Sequence, residues 1–131
     1  MAYTAIATAV AGRNGHVESS EGTLKLDTSM PGSGRPGTNP EQLFAAGYAA
    51  CFGSAIMAVA GQGKLKPEGV AVTAEITLVV NGHDYSIAAK LKAKIDGVSR
   101  EEAEKLLHTA HQVCPYSKAT RGNIPVELEL L

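Results

Sequence analysis

The sequence predicts an α+β chain, and three observations carry that prediction. Short β-friendly segments broken by Gly and Pro fill the first 37 residues. An uncharged, alanine-rich stretch of 18 residues at 43–60 follows, too long for a strand. Two strictly alternating segments, 70–80 and 85–95, then precede residues with helical spacing at 99–114. The resulting order is three strands, a helix, two strands, a helix and a strand. With 131 residues and no internal repeat, residues 1–131 are expected to be a single domain.

Taking the elements in order, residues 3–11 carry Tyr, Thr, Ile and Val and lead into Asn14-Gly15, a two-residue hairpin signal. Residues 16–20 and 22–28 continue as a meander, and residues 31–37 (PGSGRPG) read as a turn-rich loop. Asn39 as N-cap, Pro40 at N1 and Gln42 at N3 open the first helix, predicted to run to about residue 60. Residues 70–80 put Val70, Val72, Ala74, Ile76, Leu78 and Val80 on one face, and Asn81-Gly82 is a second hairpin signal. In residues 85–95, Tyr85, Ile87, Ala89, Leu91, Ala93 and Ile95 alternate with Lys90, Lys92 and Lys94, a lysine row that reads as a solvated sheet face. Ser99 and Glu102 form a capping box, after which Ala103, Leu106, Leu107, Ala110 and Cys114 share one helical stripe. Pro115 ends that helix at Cys114, and residues 126–131 close as a strand.

Composition narrows the functions. Twelve Lys+Arg against 13 Asp+Glu, with a pI near 6.4, leave no basic footprint for nucleic acid. A hydrophobic content of 44% with 19% charged residues argues against disorder. Aromatics at 5% and no Trp predict a core of small side chains in close contact. Two cysteines are too few for a disulfide scaffold, and residues 1–4 lack a signal peptide's start, so a cytoplasmic protein with reduced thiols is expected. Residues 43–60 meet the length test for a membrane span. Their small side chains and missing basic flanks instead predict a helix buried in a soluble assembly, with no membrane partner. One small chain has too little sheet to cover every face of that helix. The Ala46/Ala50 and Gly47/Cys51 spacings therefore predict a homodimer that buries it. No CxxC and no zinc-like His spacing occur, and His108 with His111 lack a third ligand, so neither a metal nor a cofactor is expected. His16 and His83 are expected in turns.

Three stretches are recognisable together: Ala11-Gly12-Arg13-Asn14-Gly15, residues 37–52 (GTNPEQLFAAGYAACF) and residues 110–124 (AHQVCPYSKATRGNI). They resemble, in order along nearly the whole chain, the organic hydroperoxide resistance (Ohr) branch of the OsmC/Ohr family. The resemblance implies a thiol-dependent peroxidase that reduces organic hydroperoxides. It implies a fold of antiparallel sheets wrapped around central buried helices in an intertwined homodimer. By position it makes Cys51 the peroxidatic thiol and Cys114 the resolving thiol, with Arg13 and Glu41 as the active-site arginine and its carboxylate partner. It further implies a dihydrolipoyl-type dithiol as electron donor. The chain departs from the family where Ala11 and Asn14 replace a frequent Gly and Asp, and where residues 31–37 and the hairpin at Asn81-Gly82 are short.

Elementary chemistry tests those roles. A free thiol of pKa about 8.5 is only ~3% ionised at neutral pH. Cys51 lies in mid-helix, where no dipole end helps and apolar burial raises its pKa, so it needs the Arg13 cation. Glu41 against the thiolate would be harmful, and it makes sense as the group that holds Arg13. Ten residues of helix separate Glu41 from Cys51, about 15 Å along the axis. Either the helix breaks near Gly47, or Arg13 and Glu41 serve the Cys51 of the other subunit. Cys114, at a helix C-terminus, is expected to react later. Three rival functions stay open at this point: an OsmC-like peroxidase of broader peroxide use, a non-catalytic dimer binding an apolar ligand, and protein thiol–disulfide exchange, which the missing CxxC weakens.

Overall fold

The computed structural model describes residues 1–131, which form two compact units, Met1–Leu43 and Phe44–Leu131. In the first, β1 (Ala7–Val10), β2 (His16–Ser19) and β3 (Lys25–Asp27) make an antiparallel sheet in that order. Val10 pairs with His16, so five residues join β1 to β2 instead of the expected Asn14-Gly15 turn. Ala11 takes the left-handed conformation (φ 59°), and Gly12–Asn14 form a single 3-10 turn. His16, expected in a turn, opens β2 between the carboxylates of Asp27 and Glu18. β3 continues past Asp27 into a parallel bridge between Thr28 and Thr38, which carries the chain to the next helix.

That helix, α1 (Pro40–Gln62), begins as its sequence predicts, the Gln42 N–H donating to Asn39 Oδ1 at 2.9 Å. It runs unbroken past Gly47 and ends two residues later than expected. Leu65 N–H reaches back to the Ala60 carbonyl, and Lys64 supplies the left-handed residue (φ 58°) that glycine usually provides. By length and composition α1 could cross a membrane. One side of it is buried, however, through Tyr48, Phe52, Ala55, Ile56 and Ala60, while Ala46, Ala50, Ser54, Met57 and Ala58 are exposed.

The second unit is built on β4 (Gly69–Asn81), β5 (Asp84–Asp96) and β6 (Val126–Leu130). β4 and β5 pair antiparallel around the two-residue loop Gly82-His83, with Gly82 at φ 65°, one residue beyond the Asn-Gly signal. The alternation holds from Val70 to Ile76 and from Ile87 to Ile95, but Leu78, Val80 and Tyr85 at the tip of this hairpin are exposed. Lys90, Lys92 and Lys94 face away from the core in ion pairs with Glu129, Glu75 and Asp96. The sheet corrects one expectation: β6 runs parallel to β5, so it is mixed and not antiparallel throughout. The chain between them returns through helices, the connection that a parallel pair requires.

Those helices are α2 (Arg100–Val113), with the predicted capping box at Ser99 and Glu102, and α3 (Pro115–Thr120), which the sequence reading did not anticipate. The α2 stripe of Ala103, Leu106, Leu107, Ala110 and Cys114 is buried against Leu91, Ala93 and the α1 residues. Alanines do line this core, as the composition suggests. Yet Tyr48 and Phe52 are fully buried, and four of the six aromatic residues, Phe44, Tyr48, Phe52 and Tyr116, stack in one cluster. Gly47 serves that cluster. A Cβ there would lie 2.7 Å from Tyr116 Oη, so only glycine lets the ring approach α1.

Candidate active site

The four residues singled out in the sequence fall into two pairs, one in each unit. In Met1–Leu43, Arg13 and Glu41 form a bidentate ion pair: Nη1 donates to Oε2 at 2.8 Å and Nη2 to Oε1 at 2.6 Å. This fork geometry fixes the direction of the guanidinium as well as its charge. Hydrogen bonding to Arg13 holds the Glu41 carboxyl below the usual carboxylate range, and the same bond raises Arg13. Glu41 also occupies the first turn of α1, where the helix dipole favours an anion.

In Phe44–Leu131, the Cys114 thiol lies 3.5 Å from Cys51 Sγ, and both cysteines are free. α1 carries Cys51 on its half-buried flank. Cys114 is fully buried at the elbow between α2 and α3, where Pro115 forces extended backbone (φ −61°, ψ 124°). Burial pushes the Cys51 thiol up from its ordinary value, as expected for a mid-helix cysteine. The backbone N–H of Tyr116 opposes that rise and the neighbouring Cys114 adds to it. Cys51 opens onto a cleft of about 470 Å³ lined mainly by Ser54, Ala58, Val59, Val113 and Pro115. The lining is apolar enough for a hydrocarbon group and leaves the Cys51 sulfur as the accessible thiol of the pair.

Sequence reasoning missed what holds the elbow. Tyr48 Oη lies 2.8 Å from Ser117 Oγ and 2.9 Å from Thr120 Oγ1, and His111 Nδ1 lies 2.8 Å from Ser117 Oγ. This buried network ties α3 to α1 and α2, so the Tyr116 N–H keeps its place against Cys51. Burial lowers the His111 pKa, which favours the neutral ring in this network. Pro115 at the first position of a helix was the available signal for α3. Cys114 sits at the start of α3 as well as the end of α2, so two opposing helix ends face it and the α2 C-terminus alone does not set its reactivity. His108 pairs with Glu104 at 3.6 Å.

A small α+β chain with two free, adjacent thiols, an arginine gripped by a carboxylate and no CxxC defines a class of paired-cysteine folds. The family described as OsmC-like protein matches residues 32–129. The organic hydroperoxide resistance protein OhrA of Bacillus subtilis is 50% identical over 135 residues, covering 98% of this chain and 95% of that one. The crystal structure of an organic hydroperoxide resistance protein from Legionella pneumophila superposes with a TM-score of 0.93 at 51% identity, covering 98% and 96% of the two chains. That of OhrB from Bacillus subtilis gives 0.92 at 44%, covering 98% of each. The chain belongs to the OsmC-like family and, within it, to the Ohr branch.

Proposed function

We propose that this protein confers organic hydroperoxide resistance as a thiol-dependent peroxidase. The observation that carries the reading is the pair of free sulfurs 3.5 Å apart, one of them open to an apolar cleft, in a chain of the Ohr branch. The Cys51 thiolate attacks the outer oxygen of ROOH. The O–O bond breaks, Cys51 becomes a sulfenic acid, and the alkoxide leaves and takes a proton as ROH. Cys114 then displaces the sulfenic hydroxyl as water, giving the Cys51–Cys114 disulfide. A dithiol, of dihydrolipoyl type on the family resemblance, reduces that disulfide and is itself oxidised to a disulfide.

The proposed assembly is a homodimer in the cytoplasm, each copy a single domain over residues 1–131. In the single chain Val10 on β1 and Leu26 on β3 are exposed, as are Ile6 and Leu24 just before those strands, Met57 on α1, and Leu78, Val80 and Tyr85 at the hairpin tip. Surfaces of this kind call for a covering partner. Because α1 is unbroken from Pro40 to Gln62, we assign Arg13 and Glu41 to the Cys51 of the partner subunit. There the guanidinium would counter the rise that burial imposes on Cys51. Lowering the thiol pKa by about two units converts ~3% thiolate into roughly 75% at neutral pH, a gain near 2 kcal/mol. The larger service is orienting the peroxide and stabilising the departing alkoxide with fixed donors.

Steady-state reduction of cumene hydroperoxide and hydrogen peroxide with a dithiol donor tests the reading. Activity on the organic substrate that Cys51→Ser abolishes supports it, and equal rates on both substrates point to a broader OsmC-like enzyme. A rival, a non-catalytic dimer that holds an apolar ligand in the Cys51 cleft, draws on the raised Cys51 thiol. A Cys51 that hydroperoxide does not consume favours that rival. Mixed dimers of Cys51→Ser and Glu41→Gln chains test the exchange of residues between subunits, since one intact site per dimer should restore activity.

A further inference from the structure

The Arg13–Glu41 pair joins residues 28 positions apart, and neither partner lies in a strand: Arg13 is on a 3-10 turn and Glu41 in the first turn of a helix. One residue touches the supports of both. Thr28 is 5% exposed. Its hydroxyl donates to the Gly12 carbonyl at 2.7 Å and accepts from the Gly15 N–H at 2.7 Å, thereby stapling the turn on either side of Arg13. Its own N–H donates to the Gly15 carbonyl at 2.8 Å. In the other direction Thr28 bridges Thr38, flanked by Thr38 N–H to Asp27 carbonyl at 2.8 Å and Ser29 N–H to Thr38 carbonyl at 3.0 Å. Thr38 immediately precedes Asn39, the cap of the helix that carries Glu41.

The turn gains little support elsewhere. Ala11 holds a left-handed conformation that costs a residue with a Cβ, and the cap at Ala11 makes no side-chain hydrogen bond. Gly15 passes so close to Val10 that a Cβ would sit 1.9 Å from its carbonyl oxygen, so the turn has no room to relax inward. A strained turn of this kind persists only where its surroundings fix it.

We propose that Thr28 is a positioning residue for Arg13, its hydroxyl setting the Gly12–Asn14 turn and its backbone setting the helix start so that guanidinium and carboxylate meet. This rests on the peroxidase reading above and extends it to a residue that touches neither peroxide nor sulfur. Valine at this position keeps the shape and the strand bridge and removes only the hydroxyl. Thr28→Val is expected to lower kcat/KM for cumene hydroperoxide roughly 10- to 100-fold. It should also move the pH midpoint of Cys51 alkylation, read in a Cys114→Ser background, upward to that of Arg13→Ala. Thr28→Ser, which keeps the hydroxyl, should restore both readouts. The Thr28→Val/Arg13→Ala double variant should be no worse than Arg13→Ala alone, whereas a merely structural role would add a second loss.

A Thr28→Val enzyme with the wild-type midpoint and kcat/KM overturns the proposal, as does additivity in the double variant. If Thr28→Val does not fold, Thr28→Ser decides: a folded serine variant that behaves like Arg13→Ala overturns it, because the hydroxyl is still present. If Arg13→Ala itself leaves both readouts unchanged, the role given to Arg13 fails and this proposal with it, whereas the peroxidase reading fails only where Cys51→Ser keeps the activity, so the two failures are distinguishable.

Discussion

The two units support their candidate site residues in opposite ways. Phe44–Leu131 buries its thiols in packed apolar surface: Cys114 is fully enclosed, and the elbow holding it is tied by Tyr48, Ser117 and His111. Met1–Leu43 contributes no residue to the buried hydrophobic core; there Glu41 bonds the Arg13 guanidinium and Thr28 bonds Gly12 and Gly15 on either side of it. Under the proposed function, enclosure would shield a sulfenic acid at Cys51 and the apolar cleft would admit the substrate's hydrocarbon group. The guanidinium stays partly exposed, gripped by the Glu41 carboxylate, while the Thr28 hydroxyl ties the backbone of the turn that carries it. The difference teaches that one short chain holds its thiols by apolar packing and its arginine by polar contacts, in separate parts of the sequence.

The contrast can be broken most sharply in the packed unit. Phe52→Ala should cost about 3–5 kcal/mol in urea unfolding, the range for a large buried aromatic. In the first unit, Leu26→Ala should matter only as far as a second copy covers it, so its effect on the melting temperature should depend on protein concentration. A concentration-independent loss as large as that of Phe52→Ala would erase the distinction. Tyr48→Phe comes next in size. It removes the hydroxyl shared by Ser117 and Thr120 and should cost about 1–2 kcal/mol in the same assay. It should also slow disulfide formation after one equivalent of hydroperoxide, measured by loss of free thiol.

A matched pair sharpens the comparison further. Ala11 and Lys64 are the two non-glycine residues with positive φ, one in each unit. Lys64→Gly relieves strain at a helix end and should raise stability by roughly 0.5–1 kcal/mol without touching activity. Ala11→Gly relieves the same strain but frees the Arg13 turn, so any gain in melting temperature should come with a lower kcat/KM. Equal activity in both variants would show that the turn needs no stiffness. The smallest effect belongs to the ion pair. Because the Glu41 pKa is lowered in the folded chain, its contribution is present above the unfolded value near 4.5 and is lost as pH falls through the folded value. Glu41→Gln should therefore flatten the acid side of the stability curve, which urea midpoints between pH 3 and 6 would measure, with a modest amplitude for a partly exposed pair.

Much of the fold was legible because its signals are local. The Asn39 cap, the Ser99–Glu102 capping box and the alternation of β5 each depend on near neighbours; the two caps are found as read, and the alternation holds from Ile87 to Ile95 but not at Tyr85. The Asn14-Gly15 hairpin signal failed because Thr28, fourteen residues further on, offers the turn a better set of hydrogen bonds than a tight hairpin would. The direction of β6 was not legible either. Strand patterning fixes which face is buried and says nothing about which way the partner runs. Of the candidate site, the residue types were visible in the motifs, whereas the Tyr48 network and the Thr28 staple join positions 69, 72 and 13–16 residues apart, beyond any local rule.

The sequence by itself determined the main strands and the two long helices, the apolar character of α1 and the identity of the two thiols, because side-chain spacing and caps act over a single turn or a single pleat. Only the tertiary structure decided that the sulfurs lie 3.5 Å apart, that Arg13 is gripped at two points by Glu41, and that Gly47 makes room for Tyr116. Those outcomes depend on how distant segments pack, where close contact and hydrogen-bond geometry select one arrangement among many that the same local pattern allows.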